Sequence, residues 1–170
     1  MRLFVPFVQV RSSHYMLISV KKGLSFGLTS GIITTLGLIV GLNSGTHSQA
    51  VIISGILIIA IADSLSDAFG IHVSEESSSR NSHTHVWQAT FATFISKFTF
   101  ALSFIIPVLL LPLQTAIIVS IIWGLFLIGL FSYFIGENKK AKVVAEHLTM
   151  AVAVILITHF VGGFINNLTQ

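Results

Sequence analysis

The sequence predicts an all-α integral membrane protein with five transmembrane helices, and three observations lead to that class. Of its 170 residues, 54% are hydrophobic and only 9% are charged, whereas a soluble domain carries about 25% charged residues. The mean hydropathy is +0.92. Apolar stretches of about 20 residues, enough to cross a bilayer, recur five times. So few charges cannot cover a soluble fold, which excludes a soluble enzyme and a disordered chain.

Short polar breaks separate the five apolar stretches and fix the predicted domain organisation. The breaks are too short to hold another folded domain. We therefore predict a cytoplasmic segment over residues 1–22 and a single five-span domain over residues 23–170. The predicted spans cover residues 24–42, 50–71, 86–111, 115–135 and 144–165.

The placement of Lys and Arg predicts the orientation of the chain in the membrane. Eight of the nine basic residues precede span one or lie in the loops after spans two and four. Because basic loops stay in the cytoplasm, we expect a cytoplasmic N-terminus and a C-terminus outside. This asymmetry also accounts for the pI of about 9.5 without a nucleic-acid partner. The compact loops favour a prokaryotic inner membrane over a vacuolar one.

Span two carries two acidic residues that hydrocarbon does not need. An ionisable group at mid-bilayer costs about 2.5–3.5 kcal/mol on insertion scales. Asp63 and Asp67 are one helical turn apart on one face, and Ser66 lies between them. Carboxylate and hydroxyl oxygens suit a hard or borderline divalent cation, so this face predicts an ion pathway. The alternative is that the carboxylates are protonated or bond to neighbouring helices.

Lys97 is the single basic residue inside a predicted span. It lies about ten residues from the cytoplasmic end of span three, and Asp63 lies about nine from that end of span two, so both are about 14 Å deep. An Asp63–Lys97 ion pair would lower the cost of burying both charges. It would also weaken the argument for a metal, because an ammonium repels cations. Snorkelling towards the cytoplasm, or exchange of a proton during transport, are the alternatives.

Small residues form a stripe along span one. Small side chains let helix backbones approach closely, so this stripe predicts helix packing, either within the monomer or across a dimer. Its members are Gly27, Ser30, Thr34, Gly37, Gly41 and Ser44. The exposed Ser and Thr hydroxyls of this stripe could also line a path.

Two further groups are weaker candidates for an ion path. In the break at residues 72–85, two acidic and two imidazole side chains could collect a divalent metal at the mouth; they are Glu75, Glu76, His83 and His85. A merely solvated charged loop is the alternative. Glu146 and Met150, one turn apart near the start of span five, could line the cytoplasmic end of the path. A solvated Glu and a lipid-facing or core Met are the alternative there.

Two segments resemble a known family. GLSFGLTSGIITTLGLIVGL (23–42) and ATFISKFTFALSFIIPVLLLP (92–112) are similar to the first and third spans of the vacuolar iron transporter family. The resemblance covers about residues 21–166. It implies five spans, a homodimer, and export of Fe²⁺ or Mn²⁺ from the cytosol along the dimer interface in exchange for protons. The family's span-one Asp is replaced here by Phe26, and its long Glu-rich cytoplasmic domain is replaced by residues 72–85.

The leading expectation is therefore a homodimeric transporter that moves Fe²⁺ or Mn²⁺ out of the cytosol in exchange for protons. A non-transporting membrane scaffold with a structural Asp63–Lys97 pair, or a carrier of another small solute, are the alternatives. The chain has no cysteine, and it carries no nucleotide motif or hydrolytic triad. We expect no enzymatic activity and no permanently bound cofactor; the expected partners are lipid, divalent metal ions, protons and a second copy.

Overall fold

A computed structural model describes the backbone of residues 7–78, 82–136 and 139–169, and the side chains of those ranges from residue 18 onward. The described residues form helices and short turns, with no strand. Five helical segments are long and apolar enough to cross a membrane, which confirms the predicted fold class. The helices are α1 (Phe7–Thr46), α2 (Gln49–Glu76), α3 (His83–Ser103), α4 (Ile105–Leu110), α5 (Leu113–Ile135) and α6 (Lys140–Thr169).

Several helices extend past the predicted spans. α1 begins at Phe7, so no helix end marks the limit predicted at residue 22. α2 continues to Glu76, which places His72, Glu75 and Glu76 on a helix instead of in a loop. The difference has a simple cause. Hydropathy reports the part of a helix that is apolar, whereas backbone hydrogen bonding continues into its polar ends.

The third span is a broken helix. α3 ends at Ser103 and α4 begins at Ile105, with Phe104 in a turn between them. Proline has no N–H to donate to the carbonyl four residues earlier, and its ring clashes with that carbonyl. Pro107 therefore accounts for the break at Ser103. Hydropathy alone predicts one uninterrupted span over residues 86–111.

α1 is the central helix of the bundle. About 56% of its span is buried, against 11–33% for the other spans. Its glycines allow the close approach: Gly23, Gly27 and Gly31 lie directly against Ala89, Thr93 and Lys97 of α3. On the far half of α1, Gly37 and Gly41 lie against Val154 and Thr158 of α6. The glycines of the small-residue stripe thus pack against other helices of the same chain.

A tight turn joins α1 and α2 into an antiparallel pair. His47 adopts a left-handed conformation with φ of 51°, and the Ser48 hydroxyl caps α2 by accepting a hydrogen bond from the Val51 amide. We call the end of the bundle that holds this turn the far end. The opposite end, where Lys22 and Lys140 lie, is the basic end. Residues of α1 and α2 equally distant from the turn lie at the same level of the bundle.

Candidate ion site

Four side chains from three helices meet inside the bundle, and we call them the Lys97 cluster: Ser30, Asp63, Asp67 and Lys97. The Lys97 ammonium forms ion pairs with both carboxylates, at 2.5 Å from Asp63 Oδ2 and in direct contact with Asp67 Oδ2. It also donates a hydrogen bond to Ser30 Oγ at 3.0 Å. Ser30 Oγ in turn donates to Asp67 Oδ2 at 2.6 Å. One ammonium is therefore held by three oxygens.

The helix geometry brings these residues together. Ser30 and Asp67 are equally far from the α1–α2 turn, and Asp63 is one turn nearer to the far end. Lys97 reaches them from α3, where its stem passes over Gly31; a Cβ at Gly31 would lie 3.0 Å from Lys97 Cγ. The cluster lies in the middle part of α2. At a rise of 1.5 Å per residue, Asp63 is about 20 Å and Asp67 about 14 Å from the nearer end of that helix.

Burial differs sharply within the cluster. The Lys97 side chain is 2% exposed, whereas the side chains of Asp67 and Asp63 are 21% and 30% exposed. Asp63 also lies at one end of an open apolar groove of about 630 Å³ between α1 and α2, lined by residues that include Leu38, Leu42 and Ile58. The ammonium thus contacts the carboxylates from inside the bundle, and the carboxylates face its outer surface.

The cluster has an excess of negative charge and of acceptor oxygens. With all three groups ionised, two carboxylates and one ammonium leave one net negative charge. Asp63 Oδ2 contacts the ammonium without hydrogen-bonding geometry, and among the described residues it has no hydrogen bond. The fully buried hydroxyls of Thr35 and Ser64 likewise make no hydrogen bond within the described part of the chain. Buried polar atoms in this state are rare.

The chemistry of this site is that of a cation among hard oxygen ligands. Two carboxylates and a hydroxyl are typical ligands of divalent cations. Across the described ranges, no three His, Asp or Glu side chains are grouped closely enough to hold a metal ion. The position enclosed by the oxygens is taken by Lys97, so any other cation competes with it.

The predicted mouth residues do not form one group. The side chain of Glu75 is buried and forms an ion pair with Lys22, whereas Glu76 is exposed. His83 is exposed and accepts a hydrogen bond from Trp87 Nε1 at 3.3 Å. His85 is half-buried. Among the described residues, no three of these side chains are grouped closely enough to hold a metal ion.

The other predicted residues lie outside the Lys97 cluster. Ser66 is exposed on the outer surface of α2. Glu146 lies on the surface of α6 and pairs with Lys142 at 3.6 Å, with both side chains more than half exposed. Met150 is 58% exposed on the same helix. α6 packs against α1 and α5. Glu146 and Met150 on α6 therefore lie on a different side of α1 from most of α2, which carries the two aspartates.

Sequence reasoning missed two features of this region. It assigned Ser30 mainly to helix packing and gave its hydroxyl no partner, whereas that hydroxyl bonds to Asp67 and Lys97. It did not anticipate the Lys22–Glu75 pair. The Ser30–Asp67 and Lys22–Glu75 pairs share one sequence signal, because the two residues of each pair are equally distant from the short α1–α2 turn. Applying an antiparallel register to the first two spans would have found them.

The sequence matches no protein-family model, and no curated protein is similar enough to it to count as a relative.

Proposed function

We propose that this chain is a membrane transporter that moves a divalent metal ion, Fe²⁺ or Mn²⁺, out of the cytosol in exchange for protons. The observation that carries the proposal is the Lys97 cluster. Two carboxylates and a hydroxyl at mid-bilayer depth are costly, and intramembrane ionisable groups typically mark ion or proton pathways. Asp63 and Asp67 would bind the ion, with Ser30 as a further oxygen ligand.

The proposed path runs along the α1–α2 seam. With the basic end in the cytoplasm, an ion first meets Glu75 and Lys22, which pair across this seam. It next passes Phe26 on α1 and Ile71 on α2. These two residues are equally distant from the α1–α2 turn, so they form an apolar layer at one level before the cluster. Beyond Asp63, the apolar groove between α1 and α2 leads towards the far end.

We further propose that the working unit is a homodimer paired across α1. Leu38 and Leu42 form a ridge on α1 between two apolar grooves. One is the groove against α2, and the other, of about 400 Å³, lies against α6. A second copy seated on this ridge would close the exposed side of Asp63 from lipid. The dimer and the exchange with protons are also what the resemblance to vacuolar iron transporters implies.

The test is metal flux into proteoliposomes, measured for Mn²⁺ and Fe²⁺ with and without a pH gradient. The wild type should show flux that depends on the gradient, and Asp67→Asn should lose most of it. Glu146→Gln is the matched control, because it removes a carboxylate from an exposed pair on α6 and should keep the flux. Absence of flux from folded wild-type protein would refute the proposal.

The second candidate is a non-transporting scaffold or partner subunit, favoured by the complete pairing of Lys97. Its ammonium has three oxygen partners, as expected of a structural ion pair. In that case Asp63→Asn/Lys97→Met should fold and support normal assembly, whereas each single substitution should lower the yield of folded protein. Metal flux would be absent from all of these proteins.

A further inference from the structure

The contacts of Lys97 bear on how the proposed site exchanges ions. Its ammonium is enclosed by Asp63 Oδ2, Asp67 Oδ2 and Ser30 Oγ, and these are the oxygens that a transported cation would use. The side chain is 2% exposed, so it does not extend into bulk water. A metal ion and the ammonium cannot occupy this position together, because like charges at such separations repel strongly.

We propose that Lys97 is a tethered cation that occupies the carboxylate site in its ion-free state, so that a divalent ion binds only by displacing this ammonium. The inference rests on the proposed function and adds what sets the affinity of the same site. With the ammonium in place, the cluster presents one net negative charge. Once it is displaced, the two carboxylates present two negative charges to the ion.

Two buried hydroxyls could accept hydrogen bonds from the displaced ammonium. Thr35 on α1 and Ser64 on α2 are fully buried, and neither hydroxyl makes a hydrogen bond within the described ranges. Other buried threonines, such as Thr90 and Thr93, donate to a carbonyl of their own helix. Thr35 is one turn from Gly31, over which the Lys97 stem passes, and Ser64 lies between the two aspartates in α2. A lysine side chain is long and flexible enough to change partners among such acceptors.

In this arrangement, two opposing contributions set the affinity of the site for a divalent ion. The two carboxylates attract a divalent ion about twice as strongly as a monovalent one at the same separation. Displacing the ammonium opposes that attraction, which keeps binding weak enough for release. Removing the ammonium should therefore tighten the binding of a divalent ion and slow its passage.

The experiment measures Mn²⁺ binding to the full chain in lipid nanodiscs from the loss of the free Mn²⁺ paramagnetic resonance signal. Lys97→Met should lower the Mn²⁺ dissociation constant by at least about tenfold. Lys142→Met is the matched control, because it removes a lysine from an exposed carboxylate pair, and it should leave the constant unchanged. Thr35→Val should weaken binding in the wild type but not in the Lys97→Met background.

The outcomes distinguish failure of this inference from failure of the proposed function. If the wild type binds Mn²⁺ and folded Lys97→Met binds no tighter, the tethered-cation inference is wrong and the transport proposal stands. If Lys97→Met binds while the wild type neither binds nor transports, the inference stands and transport fails. If neither protein binds, both are overturned. Should Lys97→Met not fold, Asp63→Asn/Lys97→Met must bind at least about tenfold tighter than Asp63→Asn alone.

Discussion

At the scale of single residues, the two aspartates of the Lys97 cluster are not equivalent. Asp67 accepts hydrogen bonds from both the Lys97 ammonium and the Ser30 hydroxyl. Asp63 contacts the ammonium without hydrogen-bonding geometry. Asp63 is also the more exposed of the two, and it lines the groove between α1 and α2. Asp67 therefore anchors the lysine, and Asp63 is the less constrained carboxylate of the two.

This difference predicts an order of stabilities. Asp67→Asn should cost about 1–3 kcal/mol of folding free energy, because it weakens two hydrogen bonds, one of them to a charged donor. Asp63→Asn should cost less. Thermal unfolding of the two purified variants in the same detergent measures the difference. An equal or larger loss for Asp63→Asn would show that Asp67 is not the anchor.

Which parts of the site the sequence could predict depends on the range of the interaction. The face shared by Asp63 and Asp67 follows from helical periodicity alone, and the similar depths of Asp63 and Lys97 suggest their contact. The additional contact of Lys97 with Asp67 depends on the lateral packing of α1, α2 and α3. Helices that are not joined by a short turn have no register that a single sequence specifies. The Gly31–Lys97 approach is a contact of that kind.

At the scale of helices, the glycines of α1 decide how closely α3 approaches. A Cβ at Gly27 would overlap the backbone carbonyl of Thr93 as well as Ser96 Oγ. Since α3 carries Lys97, the glycine contacts also set the depth at which the ammonium reaches α2. Packing of this kind stabilises helix pairs in membranes through close backbone contact and dispersion.

Two glycine substitutions should have opposite results. Gly27→Ala should destabilise the protein by about 1–3 kcal/mol, because the overpacked backbone must shift. Gly70→Ala is the matched control on α2, since no atom of another described helix lies within 4 Å of its Cβ position, and it should be neutral or slightly stabilising. Melting temperatures in detergent compare the two. A neutral Gly27→Ala would contradict the described α1–α3 packing.

At the scale of the whole molecule, the other four spans pack around a central α1, and the Leu38–Leu42 ridge of that helix stays open between two apolar grooves. The sequence predicted the number of spans correctly, because hydropathy measures a property of each segment by itself. It did not predict the break in the third span, although Pro107 gives the physical reason. The surface that a second copy would contact in the proposed dimer depends on how the helices assemble, which the hydropathy of single segments does not describe.

The proposed dimer predicts a specific cross-link. The native chain has no cysteine, so single cysteines need no background removal. Leu42→Cys should form a covalent dimer in membranes treated with a mild oxidant, because the ridge of one copy would face that of the other. Phe126→Cys, exposed on α5, should stay monomeric. Equal cross-linking at both positions would indicate random collision and argue against pairing across α1.

The anomalous scattering of Mn²⁺ in crystals of the protein would locate a bound ion most directly. If the Lys97 cluster binds the transported ion, one strong peak should lie between the carboxylates of Asp63 and Asp67, with the Lys97 ammonium moved away from both. A peak only among Glu75, Glu76, His83 and His85, with Lys97 still between the aspartates, would contradict it. Crystals saturated with Mn²⁺ that show no peak inside the bundle, and in which Lys97 stays paired with both aspartates, would also contradict it.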